Sequence, residues 1–270
     1  MKFGFIGVGV MAGAMLEGAL RAGFLLPEQA MAYDKRPGAA EKYGVPVAAS
    51  AAELAAQCDV VQLGCKPQDQ PALLEEIDGV LAANKKRPGT PLLISIAAGI
   101  PLVRITPWAP RAVRLVPNIN ATVGESMTAY CAAPEVTPEE LAFVQGYCEC
   151  FGRAVPLEEK YVPAFFVLSG SAPAFVYLFI DELARAGVAA GLPKSLALEI
   201  AAQTALGSAQ QVRQNACGPG AVHPYELIDR VCSPGGMTIA GIHALREHGF
   251  EHAVAQGVLA ALRKEQELGK

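Results

Sequence analysis

The chain has no block of basic residues, no paired cysteine motif and no recognisable nucleophile, and each shortage removes a class of function. Across 270 residues, 22 Lys and Arg stand against 26 Asp and Glu, a formal charge of -4. Such a balance cannot neutralise a phosphate backbone, so nucleic acid is not an expected partner. The densest basic run, Lys85-Lys86-Arg87, lies between Asn84 and Pro88 and reads as a solvated loop. The seven cysteines (Cys58, Cys65, Cys131, Cys148, Cys150, Cys217 and Cys232) are odd in number, irregularly spaced and free of any C-x-x-C pair. Neither a disulfide framework nor a metal site is therefore expected, and the thiols suit a reducing compartment. His223, His243, His248 and His252 have no carboxylate or nucleophile at a telling spacing, and covalent catalysis has no support.

Long uncharged runs are scarce as well. Tyr161 to Ile180 is about as long as the roughly 20 residues a membrane span requires. It carries Pro163, Pro173 and the polar run Ser169-Gly170-Ser171, with no basic flank, and reads as a buried interface helix instead. Met1 leads straight into a strand pattern with no room for a signal peptide, so the expected location is cytoplasmic.

What is present begins at once. Lys2 to Ile6 is a short apolar run, and Gly7, Gly9 and Ala12 follow at the G-x-G-x-x-A spacing that opens a dinucleotide-binding unit. Gly7 allows the tight turn, Gly9 lets backbone approach a pyrophosphate, and Ala12 lets the new helix lie close against the strand. The N–H groups at that helix start can hold phosphate oxygens, which makes Gly7, Val8, Gly9, Val10, Met11 and Ala12 candidate cofactor residues. A second strand, Ala30 to Tyr33, ends at Asp34, where a carboxylate would accept ribose hydroxyls. Asp34 favours NADH, whereas Lys35 and Arg36 suit the 2′-phosphate of NADPH, and the residues leave the choice open.

The alternation then continues as in a doubly wound sheet. Ala39 to Tyr43 reads as helix, Val45 to Val47 as a short strand, and Asp59 to Cys65 as a buried parallel strand. Cys65, Lys66 and Pro67 close that strand at the carboxyl edge, where ligands of such sheets bind. Pro91 to Ile96 is followed by the small-residue exit Ala97-Ala98-Gly99, and Ala112 to Val116 by the loop Pro117-Asn118-Ile119-Asn120-Ala121. Beyond Glu158 only helical patterns remain, including one from Glu159 to Ala190 interrupted near Ser169 to Pro173. The fold class is thus α/β, with a Rossmann-type domain over residues 1–158 and an all-helical domain over 159–270. The helical part is rich in Ala and Leu with few charges, so a second subunit is expected to cover some of its faces.

A second loop stands between two late helices. Cys232-Ser233-Pro234-Gly235-Gly236-Met237-Thr238 is a turn feeding a helix start, and such a nest of N–H groups binds a carboxylate without any arginine. The same residues also suit a helix stop followed by a new cap, with the Thr238 hydroxyl capping its own helix. A dinucleotide domain without an evident general base points to hydride transfer in which the protein mainly positions its reactants.

Taken in order, these motifs resemble the pyrroline-5-carboxylate reductase family over nearly the whole chain. The resemblance rests on Phe5-Ile6-Gly7-Val8-Gly9-Val10-Met11-Ala12, Cys65-Lys66-Pro67-Gln68, Ser95-Ile96-Ala97-Ala98-Gly99-Ile100, Leu168-Ser169-Gly170-Ser171-Ala172-Pro173-Ala174 and Ser233-Pro234-Gly235-Gly236. It implies reduction of a cyclic imine to proline with NADPH or NADH, by a homodimer joined through its helical domains and possibly assembled further. It also implies that Lys66, Ala97 and Asn118 line the cofactor. The loop of Ser233, Gly235, Gly236, Met237 and Thr238 would receive the substrate, Gly236, Met237 and Thr238 holding its carboxylate through their N–H groups. The Thr238 hydroxyl would hydrogen-bond the ring nitrogen as the catalytic group, and Glu159 is a further substrate-side candidate. The chain departs from the family pattern at Ile119-Asn120, where Thr-Pro is usual, at Ala172, where Gly is usual, and at Met237, where Thr or Ala is common. A reductase of another cyclic imino acid and a non-catalytic dinucleotide-binding sensor are the alternative readings.

Overall fold

The computed structural model describes residues 1–84 and 91–268; the basic run at 85–87 lies outside the described residues. The chain forms two compact units, one of Met1–Gly170 with the chain from Lys264, the other of Ser171–Arg263.

The first unit is built on a seven-stranded sheet: β1 (Phe3–Ile6), β2 (Ala30–Tyr33), β3 (Val60–Leu63), β4 (Leu92–Ser95), β5 (Ala112–Val116), β6 (Ser126–Ala132) and β7 (Gly152–Pro156). Their order across the sheet is β2-β1-β3-β4-β5-β6-β7. β2, β1, β3, β4 and β5 pair in parallel, and β1, β3, β4 and β5 are buried at every position, as strands covered on both faces must be. β6 runs antiparallel to β5, because the connection Pro117–Glu125 is too short for a parallel crossover, which takes about a dozen residues. A longer connection returns the chain parallel in β7.

Helices α1 (Val10–Arg21), α2 (Ala51–Gln57), α3 (Gln70–Asn84) and α4 (Pro138–Glu149) cover the two faces. Alternation along β1 sends Phe3 and Phe5 into one core with Met15 and Leu16 of α1 and Tyr147 of α4. Ile6 goes to the other, with Leu54 of α2 and Leu74 and Ile77 of α3. The first core is aromatic: the Phe3 and Phe5 rings stack at 4.5 Å and Tyr147 lies 4.8 Å from Phe3. Full burial of each such ring contributes about 2–3 kcal/mol. One polar tie crosses this core, where the fully buried Tyr147 hydroxyl donates to Gln62 Oε1 at 2.7 Å.

Two short elements differ from the sequence pattern. Only Glu41–Tyr43 of the expected helix forms, as a single 3₁₀ turn ended by Gly44. The expected strand at Val45–Val47 is one bridge to Ala32, since Pro46 has no N–H to extend a ladder.

The helical part starts with a 3₁₀ turn at Glu159–Tyr161, then α5 (Val162–Phe166), a π turn at Val167–Ser171 and α6 (Ala172–Ala189). The π turn falls at the interruption read from Ser169 to Pro173: Pro173 has no N–H to donate to the carbonyl of Ser169. Asn118 Nδ2 donates to that carbonyl instead, at 2.8 Å. The chain continues with α7 (Lys194–Asn215), α8 (Pro224–Asp229), α9 (Met237–Glu247) and α10 (Phe250–Leu268), the last turns of α10 falling in the first unit. α6 and α7 pack through a small core of Ala184, Ala197 and Ala201 with Ile180 beside them.

Among the described residues one helical stretch, Glu159–Ala189, is long and apolar enough to cross a membrane by length and composition. The expectation that it is buried does not hold within one chain: its apolar window is 17% buried, and Phe175, Val176, Tyr177, Leu178 and Phe179 are exposed. The reason is that α6 packs on α7 through alanines, with Phe179 beside the Phe250 ring of α10, and has apolar side chains all round.

Tyr147→Phe keeps the ring and strands a buried acceptor on Gln62. A loss of about 1–3 kcal/mol is expected, read as a lower urea midpoint at unchanged slope; an unmoved midpoint would show that Gln62 has another partner.

Candidate active site

The carboxyl ends of β1, β2 and β3 open into a cavity of about 740 Å³. Its floor is made by close backbone packing. Gly7 turns with φ +84°, in the left-handed region that glycine alone adopts freely, and its N–H donates to Tyr33 O at 2.7 Å. Gly64, just past β3, donates to Ile6 O at 2.7 Å, and any side chain on it would overlap the Gly7 carbonyl and the Ala12 methyl.

From this floor α1 rises with Gly9 as its N-cap and no side-chain cap. α2 and α4, by contrast, are capped by Ser50 and Thr137, the latter with Glu140 in a reciprocal pair. A side chain added at Gly9 would meet nothing within 4 Å, so the uncapped first turn faces open space. Open N–H groups at a helix start, with room before them, fit a dinucleotide pyrophosphate.

Of the fourteen cofactor candidates, Gly7, Gly9, Val10, Asp34, Lys35, Arg36, Cys65 and Lys66 line the cavity. The other six do not. Val8 is buried in the core, with its N–H donated to Asp34 Oδ2 at 2.9 Å. Ala12 is buried and Met11 packs against the same core. Pro67 begins the 3₁₀ turn Pro67–Asp69. Ala97 is buried, and its N–H is engaged by Ser95 Oγ at 3.3 Å, itself donating to Gln70 at 2.8 Å. Asn118 is buried too: its Nδ2 goes to Ser169, its Oδ1 takes the Asn120 N–H at 3.1 Å, and its own N–H goes to Ser126. Its side chain serves as the cap of the 3₁₀ turn Ile119–Val123, which is why it is not at the cavity wall.

The lining also includes Gln68, Asp69, Ala72, Leu73 and Glu76, which sequence reasoning missed. The Lys-Pro ending of β3 was visible, but the first turns of α3 reach the cavity only because the 3₁₀ turn swings the chain back.

Asp34 is the electrostatic centre of the wall. Burial works to raise its carboxyl, but hydrogen bonds from the Arg36 side chain and backbone and from Val8, with the guanidinium charge, outweigh this and hold it at about 2. Burial pushes the Cys65 thiol up to about 11, so it is neutral near pH 7.

Glu159 sits elsewhere in the first unit. Its Oε1 accepts Arg114 Nη1 at 2.9 Å and the Leu102 N–H at 2.8 Å, tying the start of the helical part to β5 and to the loop after β4. Both bonds fall on Oε1, so this oxygen is engaged by the scaffold.

The second loop belongs to the other unit. Ser233 and Gly235 form a turn in which Gly235 has φ +67° and the Gly236 N–H donates to Ser233 O at 3.0 Å. That bond removes Gly236 from the set of donors expected to face a carboxylate. α9 starts with Gly236 as N-cap and no side-chain cap, the same device as at α1, which leaves Met237 and Thr238 in an open first turn with both side chains exposed. The Thr238 hydroxyl therefore does not cap its own helix. Among the described residues no group of His, Cys, Asp or Glu could hold a metal ion.

Comparison with known proteins adds the family. Residues 159–268 match the model of pyrroline-5-carboxylate reductase dimerisation, and residues 2–99 that of NADP oxidoreductase, coenzyme F420-dependent. A pyrroline-5-carboxylate reductase of Glycine max is 39% identical over 98% of this chain and 95% of its own. The chain belongs to the pyrroline-5-carboxylate reductase family. The likeness extends to solved structures of family members. That of a pyrroline-5-carboxylate reductase from Coxiella burnetii has a TM-score of 0.89 at 26% identity, covering 100% of this chain and 98% of that one. The Plasmodium falciparum enzyme, solved with NADP bound, has a TM-score of 0.84 at 28% identity, with the same coverage.

The Asp34 bonds carry a pH signature. A carboxyl near 2 when folded and near 3.8 when unfolded adds stability above about pH 4 that is lost as pH falls towards 2. The stability gap between wild type and Asp34→Asn is therefore expected to shrink over that window in urea titrations. A gap independent of pH would show that the carboxylate is not engaged.

Proposed function

We propose that this chain reduces the cyclic imine L-1-pyrroline-5-carboxylate to L-proline, with NADPH or NADH as donor. The observation that carries the reading is the full-length match to pyrroline-5-carboxylate reductases, joined to a glycine-floored cavity with an uncapped helix start. When bound, the reduced nicotinamide supplies a hydride to the imine carbon.

The chain's own residues bind and orient. The first turn of α1 holds the pyrophosphate, with Lys66 at the cavity wall beside it. The N–H groups of Met237 and Thr238 hold the substrate carboxylate at the positive end of α9. The Thr238 hydroxyl hydrogen-bonds the ring nitrogen, where electron density arrives as the imine is reduced, and can pass a proton there. Met237, 93% exposed, leaves its backbone available while its side chain stands clear of the turn.

The protein works as a homodimer, or a larger homo-oligomer, joined through the helical unit. The exposed apolar face of α6 and the match of residues 159–268 to a dimerisation family support this. All seven cysteines stand as free thiols, which supports a cytosolic setting.

Oxidation of NADPH and NADH by the purified protein, supplied with pyrroline-5-carboxylate, is the test. Turnover is expected, and Thr238→Ala should lower kcat by about 10²–10³ while cofactor affinity stays. Full activity in that variant would remove Thr238 from the chemistry, and preference for a six-membered imine would change the substrate. Leu178→Glu, on the exposed face of α6, should shift the protein to monomer in sedimentation; an unchanged mass would place the interface elsewhere.

A further inference from the structure

We infer that Arg36, aimed by Asp34, reads the 2′-phosphate of NADPH, and that Asp34 does not receive the ribose hydroxyls of NADH. The inference rests on the reading of the cavity as the dinucleotide site and adds which end group it selects.

Asp34 follows β2 directly, where a carboxylate ordinarily accepts the two ribose hydroxyls. That role needs free lone pairs facing the cavity. Here Oδ1 accepts the Arg36 N–H at 2.9 Å and Arg36 Nε at 3.0 Å, while Oδ2 accepts the Val8 N–H at 2.9 Å and Arg36 Nη2 at 3.1 Å. Four donors occupy a group with about four acceptor sites. The Asp34 side chain is 6% exposed and that of Arg36 64%, so the surface offered to a ligand is guanidinium.

The guanidinium keeps donors in reserve. Its fork to Asp34 uses Nε and Nη2 and leaves both hydrogens on Nη1, in a plane fixed by the carboxylate. Lys35 stands next to it, 75% exposed, with its ammonium 3.2 Å from Asp69 Oδ2. A phosphate there meets two cations, one of them already oriented. A hydroxyl gains little from either and reaches Asp34 only by displacing Arg36. The overall field does not decide the matter, because Asp34, Asp69 and Glu76 balance Lys35, Arg36 and Lys66 around the cavity. The local geometry does.

Calorimetric titration of the full-length protein with NADP⁺ and with NAD⁺ tests this without turnover. NADP⁺ is expected to bind more tightly by about tenfold or more, and 2′,5′-ADP to compete with it. Arg36→Ala should cost NADP⁺ about tenfold or more and leave NAD⁺ unchanged, and Lys35→Ala should cost NADP⁺ less, since its charge is shared with Asp69. Both side chains are exposed, and a single cooperative melting transition confirms folding of each variant. Equal binding of the two cofactors by wild type, or equal loss of both in Arg36→Ala, would overturn the assignment. So would a tenfold loss of NAD⁺ affinity in Asp34→Asn, which would return the ribose to Asp34. Discrimination without reduction of pyrroline-5-carboxylate would overturn the proposed reaction alone; reduction without discrimination would overturn this inference alone.

Discussion

The closure of Gly64 onto the Gly7 turn is the contact on which the rest of the first unit depends. Two backbones meet there with no side chain between them, and the Ala12 methyl fills the remaining space. Because they meet, the ends of β1, β2 and β3 lie level, joined by the Gly7 bond to Tyr33 and the Gly64 bond to Ile6. Because they lie level, α1 starts at the carboxyl edge with its first N–H groups facing a cavity and not a side-chain cap. One bulky residue at either glycine would push strand from turn and fill the place a pyrophosphate needs.

A set of buried polar ties holds the surrounding loops. Ser95 and Gln70 fix the exit from β4, Asn118 and Ser169 fix the exit from β5, and Arg114 and Glu159 bind the start of the helical part to the sheet. Asn118 and Glu159, candidate ligand groups by type and position, take part in these ties. The distinction is physical: a buried amide or carboxylate must satisfy its hydrogen bonds, and once the scaffold does so little is left for a ligand.

The two units solve different packing problems. The first buries aromatic and branched side chains on both faces of a sheet and is complete in itself. The second packs α6 on α7 through alanines, which brings the helices close but buries little area, and leaves Phe, Tyr and Leu side chains outside. Residues 159–268 match a pyrroline-5-carboxylate reductase dimerisation family, and a helical unit with such apolar faces left open is of the kind that association covers.

Much of this was legible in the sequence. Period-two and period-3.6 patterns, the glycine spacing after β1 and the proline at residue 173 act through neighbours in the chain, so they determined the strand–turn–helix start, the change to helices after Glu158 and the break in the long helix. Local pattern also placed Gly7, Gly9, Asp34, Arg36 and Lys66 at one sheet edge. Tertiary structure alone decided that β6 reverses direction, that Asn118 and Glu159 are engaged by Ser169 and Arg114, and that the Asp34 carboxylate is covered by Arg36. It also decided that Gly236 gives its N–H to its own turn while Met237 and Thr238 keep theirs in an open helix start. Residue type and spacing state which hydrogen bonds a group can make. Which ones it makes depends on donors brought near by folding, and those donors stand far away in the chain or point by backbone geometry that spacing does not encode.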